Sequence, residues 1–125
     1  MDRDILSEPE LSGLYHAFRA PRRRLVIEVL AEQPIEPLTT RHLARRITAI
    51  EEDVPCEEAT GETYRNVYNA LSQTHLPTLA DPGLIIYESE RQRIAPGPNF
   101  GDAVLLLTIN SVILKTYRRF RTNNS

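Results

Sequence analysis

Cysteine occurs once in the 125 residues, at position 56, which excludes an internal disulfide and a cysteine-pair zinc site. Neighbouring carboxylates disfavour a thiolate in what reads as an exposed acidic loop, so Cys56 carries no expected redox role. Tryptophan is absent, and none of the five glycines belongs to a phosphate-cradling loop. No serine stands in a nucleophile elbow, and no histidine is paired with a carboxylate in a catalytic motif. His16 and His42 have no ligand spacing, and His75 falls on an apolar face as a hydrogen-bonded core or boundary residue rather than a metal ligand. The chain is therefore not expected to be an enzyme, and no cofactor or metal is expected. Lysine is also rare. Lys115 is the only one, so arginine supplies 14 of the 15 basic side chains. Against 17 acidic residues the net charge is -2, so no global field draws the chain to nucleic acid. Any such affinity must come from local basic patches.

What is present is enough for one domain with a real core. Residues 1–9 are polar and read as loose. Leu11, Leu14, Tyr15 and Phe18 have helical spacing and predict a first helix over about 9–19. Pro21 suits the first turn of a second helix, with Leu25, Val26, Val29 and Leu30 as its apolar stripe and Gln33-Pro34 as its stop. Thr39 or Thr40 can cap a third helix over about 40–52, with Leu43, Ile47 and Ile50 facing inward. Residues 51–62 carry six carboxylates and read as a loop. A fourth helix is predicted over about 62–80, stopped by Pro82-Gly83. Two short strands, 84–87 and 91–95, flank Ser89-Glu90. Asn99 is placed to cap a last helix, with Asp102 favouring its N-terminal dipole.

The stretch VYNALSQTHLPTLADPGLIIYESERQRIA, residues 67–95, thus reads as helix, stop, strand, turn, strand. That is the second half of a winged helix-turn-helix. The predicted fold is mainly α with a small β-hairpin wing: a loose segment 1–9, a winged domain 10–98, a helix 99–120 for dimerisation and a tail 121–125. LYHAFRAPRRRLVIEVLAEQP (14–34) and THLPTLADPGLIIYE (74–88) resemble the ArsR-like winged-helix regulators. More closely, "QTHLP-LAD-G" and "PGPN" look like a haloarchaeal group of small winged-helix proteins of unknown function. The resemblance covers about residues 11–100. It implies a cytoplasmic, archaeal, homodimeric DNA-binding protein that acts as a transcription regulator. A winged-helix protein-interaction module is the alternative. The metal-binding cysteines of the sensor members are absent, so metal sensing does not carry over, and no small-molecule effector is identified. The opening residues are not a basic-then-apolar leader, which also points to the cytoplasm.

On the fourth helix the predicted core face is Tyr68, Leu71, Ser72, His75, Leu76 and Leu79. The opposite face presents Asn66, Asn69, Ala70 and Gln73, with Thr63 and Thr74 at its edges. Asparagine and glutamine amides pair bidentately with adenine in a major groove, and a small residue such as Ala70 allows close approach. The bland alternative is an ordinary solvated polar face. Arg41 and Arg45 share a face of the third helix, which crosses the phosphate backbone in this motif. Arg91 and Arg93 flank the wing tip, where Glu88 and Glu90 oppose them. Arg22, Arg23 and Arg24 either hold phosphates or form a solvated run, with one member pairing to Glu28 at i,i+4.

The last helix has one narrow polar strip, Thr108, Ser111, Lys115 and Arg118. The rest is apolar, more than one small domain can cover. Leu106, Ile109, Ile113 and Tyr117 are accordingly assigned to a homodimer interface. Its apolar run reads as shorter than the ~20 residues of a membrane span, so no membrane is expected.

Overall fold

The computed structural model describes residues 7–32 and 37–123. The expectations for residues 1–6, for the stop at Gln33-Pro34 and for residues 124–125 lie outside the described residues.

Helix α1, Glu8–Ala17, opens on a reciprocal cap. The Glu10 N–H donates to Ser7 Oγ at 3.2 Å, and the Ser7 N–H donates to Glu10 Oε2 at 2.7 Å. That bond holds the Glu10 carboxyl below its ordinary pKa. Helix α2, Pro21–Glu32, begins on the proline as predicted. Strand β1, Leu38–Thr39, leads into α3, Thr40–Glu52, where Thr39 Oγ1 accepts from the His42 N–H at 3.1 Å. A left-handed Asp53 (φ 54°) ends α3. The acidic link includes one short turn of 3-10 helix, Cys56–Glu58, and Cys56 is half-buried rather than exposed.

The predicted fourth helix is built in three parts: α4 (Gly61–Ala70), a π-helical turn (Leu71–His75) and α5 (Leu76–Ala80). Pro77 explains the interruption. It has no N–H, and its ring would collide with the carbonyl four residues back. The wider turn also sets the core. The fully buried residues are Val67, Leu71, Leu76 and Leu79. At 3.6 residues per turn, Leu76 would lie about 140° around the axis from Leu71. The π turn brings both to one side. The predicted core face therefore needs correction. Tyr68, Ser72 and His75 are half-buried boundary residues, and Val67 takes an inner position.

Helix α5 ends in a pair of bonds, Gly83 N–H to the Ala80 carbonyl (2.9 Å) and Leu84 N–H to the Leu79 carbonyl (3.2 Å). Gly83 supplies the left-handed φ of 77° this ending requires. Strands β2 (Ile85–Glu88) and β3 (Arg93–Pro96) form the wing, with Tyr87 opposite Ile94 and Glu88 opposite Arg93. Strand β1 adds to β3, Leu38 opposite Ile94, giving an antiparallel sheet of order β1-β3-β2. The sequence reading found only the hairpin, because two residues carry no periodicity.

Helix α6, Phe100–Asn123, completes a mainly α fold with a small β-hairpin wing. Asn99 does not act as the predicted cap. Its amide nitrogen donates to the Pro82 carbonyl at 2.9 Å and ties the start of α6 to the turn before the wing. The core joins Val26, Ile27, Leu43, Ile47, Val67, Leu71, Leu76, Leu79, Leu84 and Ile94. Each contributes roughly 1.5–3 kcal/mol by leaving water. Ile27 belongs to this set although it lay outside the predicted stripe, while Leu25 is half-buried. Ile50, expected to face inward, is exposed, and so is Tyr15.

Candidate nucleic-acid interface

Three elements converge beside the wing. The start of α3 brings Thr39 and Arg41, α4 brings Tyr64, Arg65, Tyr68 and Asn69, and the wing turn brings Arg91 and Gln92. Together they line a cleft of about 480 Å³. Its wall holds three guanidinium groups and no carboxylate. In a chain with more acidic than basic residues, that local excess makes the cleft a basic patch. Tyr64 and Tyr68 stand with ring centroids 6.3 Å apart and planes tilted by 47°, half-buried against the core. Both tyrosines line the cleft together with the arginines.

Of the residues singled out in the sequence, the structure brings Arg41, Asn69 and Arg91 into this cleft. Thr63, Asn66, Gln73, Thr74, Arg45 and Arg93 are exposed and lie outside its wall. Gln73 and Thr74 belong to the π turn, which rotates them relative to a regular helix. Ala70, placed on the exposed face, is half-buried instead. Arg93 stands across the ladder from Glu88, so a carboxylate sits beside its charge. Sequence reasoning missed Arg65, Tyr64 and Tyr68 as site residues. Arg65 had a signal: it precedes Asn69 by four residues and shares its helix face.

The consecutive arginines at the start of α2 serve a different purpose. Arg23 is buried at 8% exposure. Its Nε donates to the Ala17 carbonyl at 2.6 Å and one terminal nitrogen donates to the His16 carbonyl at 3.2 Å. The other lies 3.4 Å from His75 Nδ1. A guanidinium has no lone pair to offer, so His75 Nδ1 is the acceptor and its proton resides on Nε2. Burial, followed by the Arg23 charge, lowers the His75 pKa below its ordinary value. Arg24 donates to the Phe18 carbonyl. Arg22 makes a two-pronged pair with Glu51, at 2.8 and 2.9 Å, which raises its pKa. The predicted i,i+4 partner, Glu28, is not used. The tight turn between α1 and α2 offers these arginines nearer carbonyls, and α3 brings Glu51 within reach.

Helix α6 is attached by its first two turns only. Ala103 is buried, Val104, Leu106 and Leu107 are half-buried, and from Thr108 to Thr122 every residue is exposed. Its polar strip faces α2. Thr108, Ser111 and Lys115 share a groove with Glu28 and Glu32. The outer side is apolar: Leu105, Ile109, Ile113, Tyr117 and Phe120 are all 44% exposed or more, while Val112 lines the groove with α2. Of the four residues assigned to an interface, Ile109, Ile113 and Tyr117 point outward, while Leu106 is shared with the domain. The helix is longer than its apolar run implied. By length and composition alone, residues 100–122 are long and apolar enough to cross a membrane.

Among the described residues no group of histidine, cysteine, aspartate or glutamate side chains is arranged to hold a metal ion. Comparison with curated proteins gives no match, and comparison with solved structures gives none either. Residues 15–95, from the end of α1 through the wing, match a family described as a domain of unknown function, DUF7344. That span contains every residue of the basic cleft, and the chain belongs to the DUF7344 family.

Proposed function

We propose that the protein is a homodimeric winged-helix DNA-binding protein that works as a cytoplasmic transcription regulator, on the pattern of the ArsR-like regulators and the haloarchaeal winged-helix group. The carrying observation is the cleft in which Arg41, Arg65 and Arg91, from three separate elements, meet without a carboxylate. In this reading Arg41 and Arg91 grip phosphates on either side of α4, and α4 lies along the major groove. Asn69, on the cleft wall, meets base edges, and Asn66 and Gln73 extend the polar face on either side of it. The outer face of α6 joins two copies, which sets two α4 helices against successive turns of one duplex.

The test is selection from random duplexes followed by titration of the enriched site. An enriched sequence, bound by a particle of twice the chain mass in light scattering, supports the reading. No enrichment and no basal binding at any salt concentration refutes it. Replacing Ile109 and Ile113 with Asp should give monomers or aggregates, because each charge would be buried unpaired at the joint. A wild-type chain that is monomeric at micromolar concentration removes the dimer.

One observation favours a second reading. Glu52, Asp53, Glu57, Glu58 and Glu62 are all exposed immediately before or at the start of α4. Such a surface repels phosphate and suits a basic protein partner. A protein-interaction module without DNA binding is the reading that takes over if selection fails.

A further inference from the structure

Gln92 closes the wing turn with a backbone φ of 51°, a left-handed conformation that is strained for a residue with a side chain. Four hydrogen bonds hold it there. Its carbonyl accepts from the Thr40 N–H at 3.0 Å. Its Oε1 accepts from Thr40 Oγ1 at 2.7 Å and from the Tyr87 hydroxyl at 3.0 Å. Its Nε2 donates to the Ser89 carbonyl at 2.8 Å. The Ser89 carbonyl can only accept, so the amide orientation is fixed by chemistry. Thr40 is fully buried, and its hydroxyl has no water to fall back on if Gln92 leaves. The side chain thus bolts the wing turn and β2 onto the first residue of α3.

The neighbours give the bolt its meaning. Arg41 follows Thr40 and Arg91 precedes Gln92, and both line the basic cleft. We infer that Gln92 is a positioning residue, a latch that fixes the separation of Arg41 and Arg91 so that both engage one nucleic-acid backbone. The inference rests on the DNA reading above. The wing itself does not depend on the latch. Backbone pairing of Leu38 with Ile94 and of Thr39 with Arg93 remains without the Gln92 side chain.

Gln92→Gly separates positioning from folding. Glycine adopts the left-handed φ freely, so relief of strain offsets part of the cost of leaving the buried Thr40 hydroxyl unpaired, and the variant should melt somewhat below wild type while staying folded at the assay temperature. Affinity for a random-sequence duplex should fall roughly tenfold, as far as for Arg91→Ala, and the double variant should fall no further. A second measurement needs no DNA. Spin labels on Arg41→Cys and Arg91→Cys, in a Cys56→Ser background, should show one narrow distance distribution that broadens when Gln92→Gly is added. A distribution that stays narrow overturns the latch. Unchanged affinity in Gln92→Gly, or losses that multiply with Arg91→Ala, overturns its positioning role. A wild-type chain that binds no duplex overturns the DNA reading and that role together, while the label distances still report whether the latch exists.

Discussion

Two sets of three arginines divide the molecule. Arg22, Arg23 and Arg24 are consecutive, and the fold uses all three. Arg41, Arg65 and Arg91 are spread over 50 residues and meet in one cleft, and among the described residues none of them forms an ion pair. The side chain is the same in each case. What differs is the supply of acceptors. The turn between α1 and α2 turns the carbonyls of His16, Ala17 and Phe18 toward the first set, whereas the cleft wall presents phenol rings, amides and other arginines. A guanidinium held by backbone carbonyls is structural, whereas one among neutral side chains and other arginines keeps the charge that the proposed function assigns to phosphate.

Breaking the first set has the largest expected effect. Arg23→Ala removes two carbonyl bonds and strips the Ala17 carbonyl of its buried donor, while the His16 carbonyl keeps the Arg19 N–H, and should cost roughly 2–4 kcal/mol in denaturant unfolding. A loss below the error of that measurement removes the distinction between the sets. Next come the cleft residues. Arg65→Ala should leave stability within about 0.5 kcal/mol but weaken binding to all duplex sequences alike and lower the salt slope by about one. Asn69→Ala should cost roughly 1–3 kcal/mol on the selected site and relax its sequence preference, and Gln73→Ala, outside the cleft wall, should cost less. Equal losses for Arg65→Ala and Asn69→Ala on unrelated sequences would place Asn69 on a phosphate instead.

Smaller effects sharpen the contrast. Arg22→Ala should cost at most about 1 kcal/mol, because its pair with Glu51 is one-third exposed and solvent screens it. The smallest concerns pH. Because the folded His75 pKa lies below its ordinary value, the unfolded chain binds the proton more readily. Stability from this group is complete above about pH 6.5 and declines as pH falls from there through the folded pKa. Unfolding curves of His75→Gln should lose that component of the slope. A His75→Gln variant that keeps the full wild-type slope contradicts the lowered pKa.

Much of this fold was legible in the sequence. Pro21, Thr39 and Pro82-Gly83 mark boundaries by local chemistry, and the structure places them as expected. Leu43 and Ile47, or Leu76 and Leu79, show their burial through spacing alone, whereas Leu71 joins them only through the π turn. Strand β1 was hidden because its partner, β3, lies over 50 residues further along the chain. The division of the arginines was hidden for a related reason. Nothing local distinguishes Arg23 from Arg41 until the turn beside each has folded. Arg41, Asn69 and Arg91 were chosen by motif position, but their meeting in one cleft, with Arg65 between them, depends on how α3, α4 and the wing dock.

The π turn at Leu71–His75 works as a phase shifter within one continuous rod. Upstream of it, the helix is clocked to the cleft: Tyr64, Arg65, Tyr68 and Asn69 repeat at the spacing that faces Arg41 and Arg91. Downstream, it is clocked to the interior through Leu76 and Leu79. Five ordinary α-helical steps from Leu71 to Leu76 would put the two demands out of register, and the wider turn absorbs the surplus residue. Removing any single residue between 71 and 75 would let the rod close into an unbroken α-helix, in which four steps leave the flanking leucines about 40° apart, so both surfaces keep their relation. Family members one residue shorter between Asn69 and Leu76 should therefore show the same two faces on an uninterrupted helix.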